Sequence, residues 1–124
     1  MRAHLLRVKR LLESGECRAA SLDQHLAELK EMVERIDEGE VRRVSRLLKA
    51  LADPIRIKVL HLLKRRPMCS CEIMVALGLT EPNTSHHLSV LEASEVVTSE
   101  KRGKWTFYTL NRRTIEKACD ALKN

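Results

Sequence analysis

The chain has 124 residues, with 23 Lys and Arg against 17 Asp and Glu and a formal net charge of +6. That length holds one domain with some extra chain, and a core modest enough for the fold to gain from oligomerisation. The basic balance favours a polyanionic partner, and the four unevenly spaced cysteines with no signal peptide point to free thiols in a reducing, cytoplasmic compartment, away from a secreted disulfide framework.

The charge is uneven. Residues 41–66 carry nine Lys and Arg against one acid, Asp53, and residues 96–124 carry seven against three. Residues 67–95 carry no Lys or Arg and four Glu. A polyanion would therefore be held through the flanks of that central stretch.

Residues 1–13 predict a short basic amphipathic helix with Leu5, Leu6, Leu11 and Leu12 on one side. Its apolar runs are two residues long, too short for a signal core or a membrane span, and no membrane association is expected. Ser14-Gly15-Glu16 breaks it. A longer helix is predicted over 21–38, with Ser21 as cap and Gln24 completing a capping-box pattern. Leu22, Leu26, Leu29, Val33 and Ile36 form a seam, the opposite face is acidic, and Gly39 is the expected stop. These residues make an N-terminal helical extension, 1–39, ahead of a main domain, 40–124.

Residues 40–52 predict a helix with Val44, Leu47, Leu48 and Leu51 inward. Asp53-Pro54 starts another, the aspartate as N-cap and the proline at the first helical position. Pro67 forbids its continuation. A short helix follows, capped by Ser70 or Cys69 and ending at Gly78. Thr80 caps the next, over 81–94, whose first turn accommodates Pro82 at no cost in hydrogen bonds. Asn83, Thr84, Ser85, His86 and His87 then come in succession before Leu88 and Leu91. A helix with a short apolar side and a run of small polar donors fits a major groove, as the second helix of a helix-turn-helix.

Residues 96–100 and 105–110 alternate as two strands around Lys101-Arg102-Gly103-Lys104, a β-hairpin with a basic tip. All three aromatics, Trp105, Phe107 and Tyr108, lie in the second strand, and Trp105 and Phe107 are expected to pack on the helices. Asn111 caps a last helix with Ile115, Ala118, Cys119 and Leu122 on its apolar side. The expected fold is mainly α: a winged helix-turn-helix with a two-stranded β-hairpin wing and an N-terminal helical extension. The candidate DNA-contacting residues are Asn83, Thr84, Ser85, His86 and His87 on the reading helix and Lys101, Arg102 and Lys104 on the wing. Packing against the helix behind is an equal alternative for His87, and phosphate contact is favoured over base reading for Ser85.

The Ala52-Asp53-Pro54 start, the Cys-Ser-Cys helix, the run from Leu77 through Ser85-His86-His87-Leu88 and the Arg102-Gly103-Lys104-Trp105 wing resemble the ArsR/SmtB family of winged-helix repressors over residues 44–120. The resemblance implies a homodimer, held by its first and last helices, that binds a palindromic double-stranded DNA operator and releases it on binding metal or metalloid. Thr80-Glu81-Pro82 stands where relatives commonly carry Ser-Gln-Ser, so Glu81 replaces an amide able to read adenine.

Cys69 and Cys71 match the Cys-x-Cys of the arsenite- and cadmium/lead-sensing branches. Two thiols two residues apart converge only if the first stands at or before the helix start, where the helix N-terminus also favours thiolate. Soft thiolates select soft ions such as As(III), Cd(II), Pb(II) or Zn(II), with no organic cofactor. A third cysteine three residues on is common in the arsenite sensors. That position here is Met74, read as core. Cys17 is the other candidate third ligand, by resemblance to the branch that supplies thiolates from an N-terminal extension, or else a lone loop cysteine. Cys119 is expected to be buried. The family's zinc site on the last helix would need ligands where Arg112 and Thr114 stand, so no such site is expected. The alternative reading is the same repressor with its cysteines sensing oxidation or reactive sulfur. No acid/base constellation argues for an enzyme.

Overall fold

The computed structural model describes residues 2–15 and 21–123, which fall into two compact units, 1–38 and 39–124. Cys17 lies outside the described residues. In the first unit, α1 (Arg2–Glu13) and α2 (Leu22–Glu34) form a helical hairpin. Ser21 caps α2 by accepting the Gln24 N–H at 3.1 Å.

The second unit runs α3 (Glu38–Leu51), α4 (Pro54–Leu63), β1 (Met68–Cys69), α5 (Ser70–Leu77), α6 (Glu81–Ala93), β2 (Val97–Arg102), β3 (Trp105–Leu110) and α7 (Arg112–Lys123). Each start has a local cause. The Asp53 carboxylate accepts the Ile55 and Arg56 N–H groups at 2.8 and 3.1 Å, with Pro54 behind it in the first turn. Hydrogen bonding from the Arg56 N–H, foremost, holds that carboxyl below its usual range. Thr80 accepts the Asn83 N–H at 3.3 Å.

The helix ends use left-handed residues. Gly78, at φ 64°, closes α5 with its N–H on the Met74 carbonyl. At the end of α6 the same conformation falls on Glu95, at φ 63°. Its cost, about 1–2 kcal/mol, is offset by a Schellman-type closure. The Val96 N–H returns to the Leu91 carbonyl at 3.0 Å, and both side chains are fully buried.

The core is one cluster. Leu47 of α3, Val59 and Leu63 of α4, Ile73 of α5, Leu88 and Leu91 of α6, Val97 of β2 and Ala118 of α7 pack together. Every helix of this unit and the first residue of β2 thus contribute to fixing where α6 lies.

Four expectations are corrected. Gly39 sits inside the first turn of α3 instead of ending α2, because α2 closes earlier, with Arg35 as C-cap. The hairpin of β2 and β3 is present as expected, and β1 adds a third strand in the order β1-β3-β2, with Met68 opposite Tyr108 and Cys69 opposite Phe107. Cys119 is exposed, since Ala118, one position away, is the residue α7 buries. Leu48 and Trp105 also face solvent: Leu47 takes the inward place on α3, and Trp105 lies beside the hairpin turn, beyond the reach of the core.

Candidate nucleic-acid interface and thiol pair

Helix α5, the turn through Gly78 and Leu79, and α6 form the helix-turn-helix. On α6 the five candidate residues divide between two faces. Asn83, Ser85 and His86 are exposed, so their donors are available to a groove. Thr84 and His87 are 3% and 8% exposed and turn inward, which for His87 is the packing alternative. The Thr84 hydroxyl donates to the Thr80 carbonyl at 2.9 Å. His87 Nδ1 lies 3.1 Å from an Arg56 guanidinium nitrogen. A guanidinium only donates, so Nδ1 accepts and the ring proton is assigned to Nε2. The spacing carried this signal: positions 84, 88 and 91 recur at four and three, and 87 and 91 at four, the period of a buried helix face.

Arg56 itself was not foreseen. Besides holding His87, its Nε donates to the Ala50 carbonyl near the end of α3. One side chain of α4 therefore ties α3 to the reading helix.

The hairpin pairs Arg102 with Trp105, leaving Gly103 and Lys104 as a two-residue turn. Gly103 takes φ 62°, a conformation that the tight hairpin turns require and that glycine adopts without strain. Lys101, Arg102 and Lys104 are all exposed. The Arg102 guanidinium lies 5.0 Å from the centre of the Phe107 ring and 3.4 Å from a Glu100 carboxylate oxygen, so it is held on the strand. Burial, with the Glu92 carboxylate behind it in weight, pushes the Tyr108 phenol up.

The thiol pair stands where the wing sheet meets the helix-turn-helix. Cys69 is the last residue of β1 and the N-cap of α5, in extended backbone at φ −81° and ψ 161°. Cys71 follows in the first turn and is exposed. The first cysteine thus stands before the helix and the second within its first turn. A latch fixes the first of them: the Glu72 carboxylate accepts the Cys69 N–H at 3.2 Å and is paired with Arg66 on its other side. The Arg66 hydrogen bond, then the Cys69 N–H, lower the Glu72 pKa to about 2. A glutamate three residues after a cap was the visible sign of this latch; Arg66 beyond Pro67 was not.

The depressed carboxylate gives a pH expectation. Its contribution to stability is complete above the ordinary glutamate value of 4.5 and is lost as pH falls towards about 2. Glu72→Gln should melt below the parent at neutral pH, and the two melting curves should converge on acidification through that window. A constant gap would show that the latch is not the cause.

Among the described residues no group of three His, Cys, Asp or Glu side chains is placed to hold a metal ion. Met74 is half-buried. On α7, Arg112 donates to the Lys64 carbonyl at 3.3 Å.

The model of the bacterial regulatory protein arsR family matches residues 53–99, from the cap of α4 into β2. The chain is 31% identical over 81 residues to the transcriptional repressor SdpR of Bacillus subtilis, covering 65% of this chain and 90% of that protein. It belongs to the ArsR family. Its identity to the arsenical resistance operon repressor of Staphylococcus xylosus is 33%, covering 60% of this chain and 72% of that protein. A homodimeric winged helix-turn-helix DNA-binding domain of Mycobacterium bovis shares the fold, with a TM-score of 0.59 at 23% identity over 66% of this chain and 77% of that one. These ArsR-family relatives are transcriptional regulators, not enzymes. No helix among the described residues is long and apolar enough to cross a membrane.

Proposed function

We propose that the chain is a homodimeric repressor that leaves a palindromic DNA operator when a soft metal or metalloid ion binds the thiolates of Cys69 and Cys71. One observation carries this reading: Cys69 is at once a candidate ligand, the cap of the first helix of the helix-turn-helix, and the strand partner of Phe107 in the wing. Drawing Cys69 towards Cys71 displaces β1 and the start of α5 together. The first shifts β3 and the wing tip; the second shifts α5 against α6. An ion therefore acts on both DNA-contacting elements through one residue.

The dimer reading rests on α3 and α7. They leave Val41, Leu48 and Leu122 exposed and border, with the α6–β2 turn, a groove of about 910 Å³ lined by Val44, Leu47, Lys117 and Ala118 among others. A second copy covers those side chains and sets the spacing of the two reading helices to that of the operator half-sites. Arsenical resistance repressors among its relatives favour a soft ion as inducer. Cys17, as third thiolate, completes the site.

A second reading is favoured by the two-thiol set itself: with no third ligand among the described residues, the thiols act as an oxidation sensor. The test separates the two. An operator fragment, selected from random DNA by the reduced protein, is followed by fluorescence anisotropy while As(III), Cd(II), Pb(II) and Zn(II) are titrated separately. One ion is expected to weaken binding by about 5–150-fold, with no such effect in Cys69→Ser, and Cys17→Ser decides between two thiolates and three. Release by mild oxidant alone supports the second reading. No release by either overturns both and leaves an operator-binding protein without a thiol switch.

A further inference from the structure

The N-terminal hairpin lacks a core. Neither α1 nor α2 has a buried residue. Its half-covered side chains, Val8, Leu12, Leu22, His25 and Leu26, gather at the loop end. Towards the open end the apolar side chains face solvent: Leu5 and Leu6 on α1, Leu29, Met32 and Val33 on α2, and Ile36 just beyond it, Met32 and Val33 being 64% and 60% exposed. Helices of 12 and 13 residues are marginal alone in water, and a hairpin that buries so little does not offset the entropy of ordering it. These side chains need a cover.

The charges identify it. Helix α1 carries Arg2, Arg7, Lys9 and Arg10 against Glu13 alone. The uncovered end of α2 is flanked by Glu28, Glu31 and Glu34, with Lys30 between them. A basic apolar helix joined to an acidic apolar helix is complementary to a copy of itself turned through a twofold axis, and flanking charges of this kind set partner and orientation in helical bundles. An anionic lipid surface would attract α1 and repel α2, so the pair fits a second copy better.

We propose that the N-terminal hairpins of two copies pack into a four-helix bundle, α1 of each against α2 of the other. The proposal builds on the dimer reading above and adds a second interface to it, outside the winged domain.

Two full-length variants test it. In one, Arg7, Lys9 and Arg10 are replaced by Glu; in the other, Glu28, Glu31 and Glu34 are replaced by Lys. Each has a hairpin strongly biased to one sign, repelled by its own copy and attracted by the other variant. The two are co-expressed, and dimers are counted by native mass spectrometry after assembly at physiological salt. There the screening length of about 8 Å confines the effect to charges in contact. Mixed dimers are expected to outnumber like dimers by tenfold or more, and Met32→Ser with Val33→Ser in both variants should remove that preference. Random pairing, with mixed dimers at half of the total, overturns the proposal while leaving the dimer intact, as does random pairing with capture of the parent protein on phosphatidylglycerol vesicles. A monomeric parent at micromolar concentration overturns the dimer reading as well.

Discussion

Replacing Lys101, Arg102 and Lys104 together by alanine is expected to weaken operator binding about a thousandfold at physiological salt. The slope of log K against log salt should fall by about five. Each protomer presents three exposed cations at its hairpin tip, six in a dimer, and each phosphate neutralised contributes about 0.9 to that slope. The effect is large because the reading helix offers nothing in its place. Residues 67–95 contain four Glu and no Lys or Arg, and exposed Glu81 opens α6. Binding isotherms for parent and triple variant at several salt concentrations measure the slope directly. An unchanged slope would place the phosphate contacts elsewhere, on the arginines of α3 first. The loss should be similar on specific and random DNA, since phosphate contacts carry no sequence. His86→Ala should instead act on the specific site alone.

What the sequence revealed and what it hid divide along one line. The starts of α4 and α6 were legible at Asp53-Pro54 and at Thr80 with Pro82, because capping is local chemistry written within four residues. Gly78 was legible for the same reason. The strand β1 was not: Met68 and Cys69 have no periodicity of their own, and only Phe107 and Tyr108, nearly forty residues on, make them a strand. The thiol pair could be read as a pair, but its attachment to the wing could not. Thr84 was obscured by composition, and for His87 packing and DNA contact stayed evenly open. Their polar side chains blurred an inward spacing, because their hydrogen-bond partners, the Thr80 carbonyl and Arg56, are supplied by the fold. Leu48 was misjudged in the opposite sense: apolar periodicity marks a face that needs a cover without saying whether the same chain provides it.

Arg56→Leu is expected to destabilise the protein by about 2–4 kcal/mol and to weaken operator binding in the folded fraction as well. The guanidinium donates to the Ala50 carbonyl and to His87 Nδ1, and Ala50 and His87 are both buried. Leucine keeps the apolar stem but leaves two acceptors in the interior without donors, at about 1–3 kcal/mol each. Water can restore part of this only by entering between α3, α4 and α6. The operator effect follows from which elements are joined. Arg56 is the polar tie between α3, on the proposed dimer face, and α6, which carries Ser85 and His86. Without it, the orientation of the reading helix relative to the dimer axis rests on apolar packing, which is less directional. Urea unfolding measures the first effect, and anisotropy at a fixed folded concentration measures the second. The double variant Arg56→Leu with His87→Leu distinguishes this account from simple loss of packing. Removing the imidazole acceptor together with its donor should recover part of the stability, a coupling of about 0.5–3 kcal/mol. It should not recover operator affinity, because the tie between α3 and α6 is still absent. Strictly additive losses in the cycle would mean that His87 finds another donor, and that the reading helix is oriented by its core contacts alone.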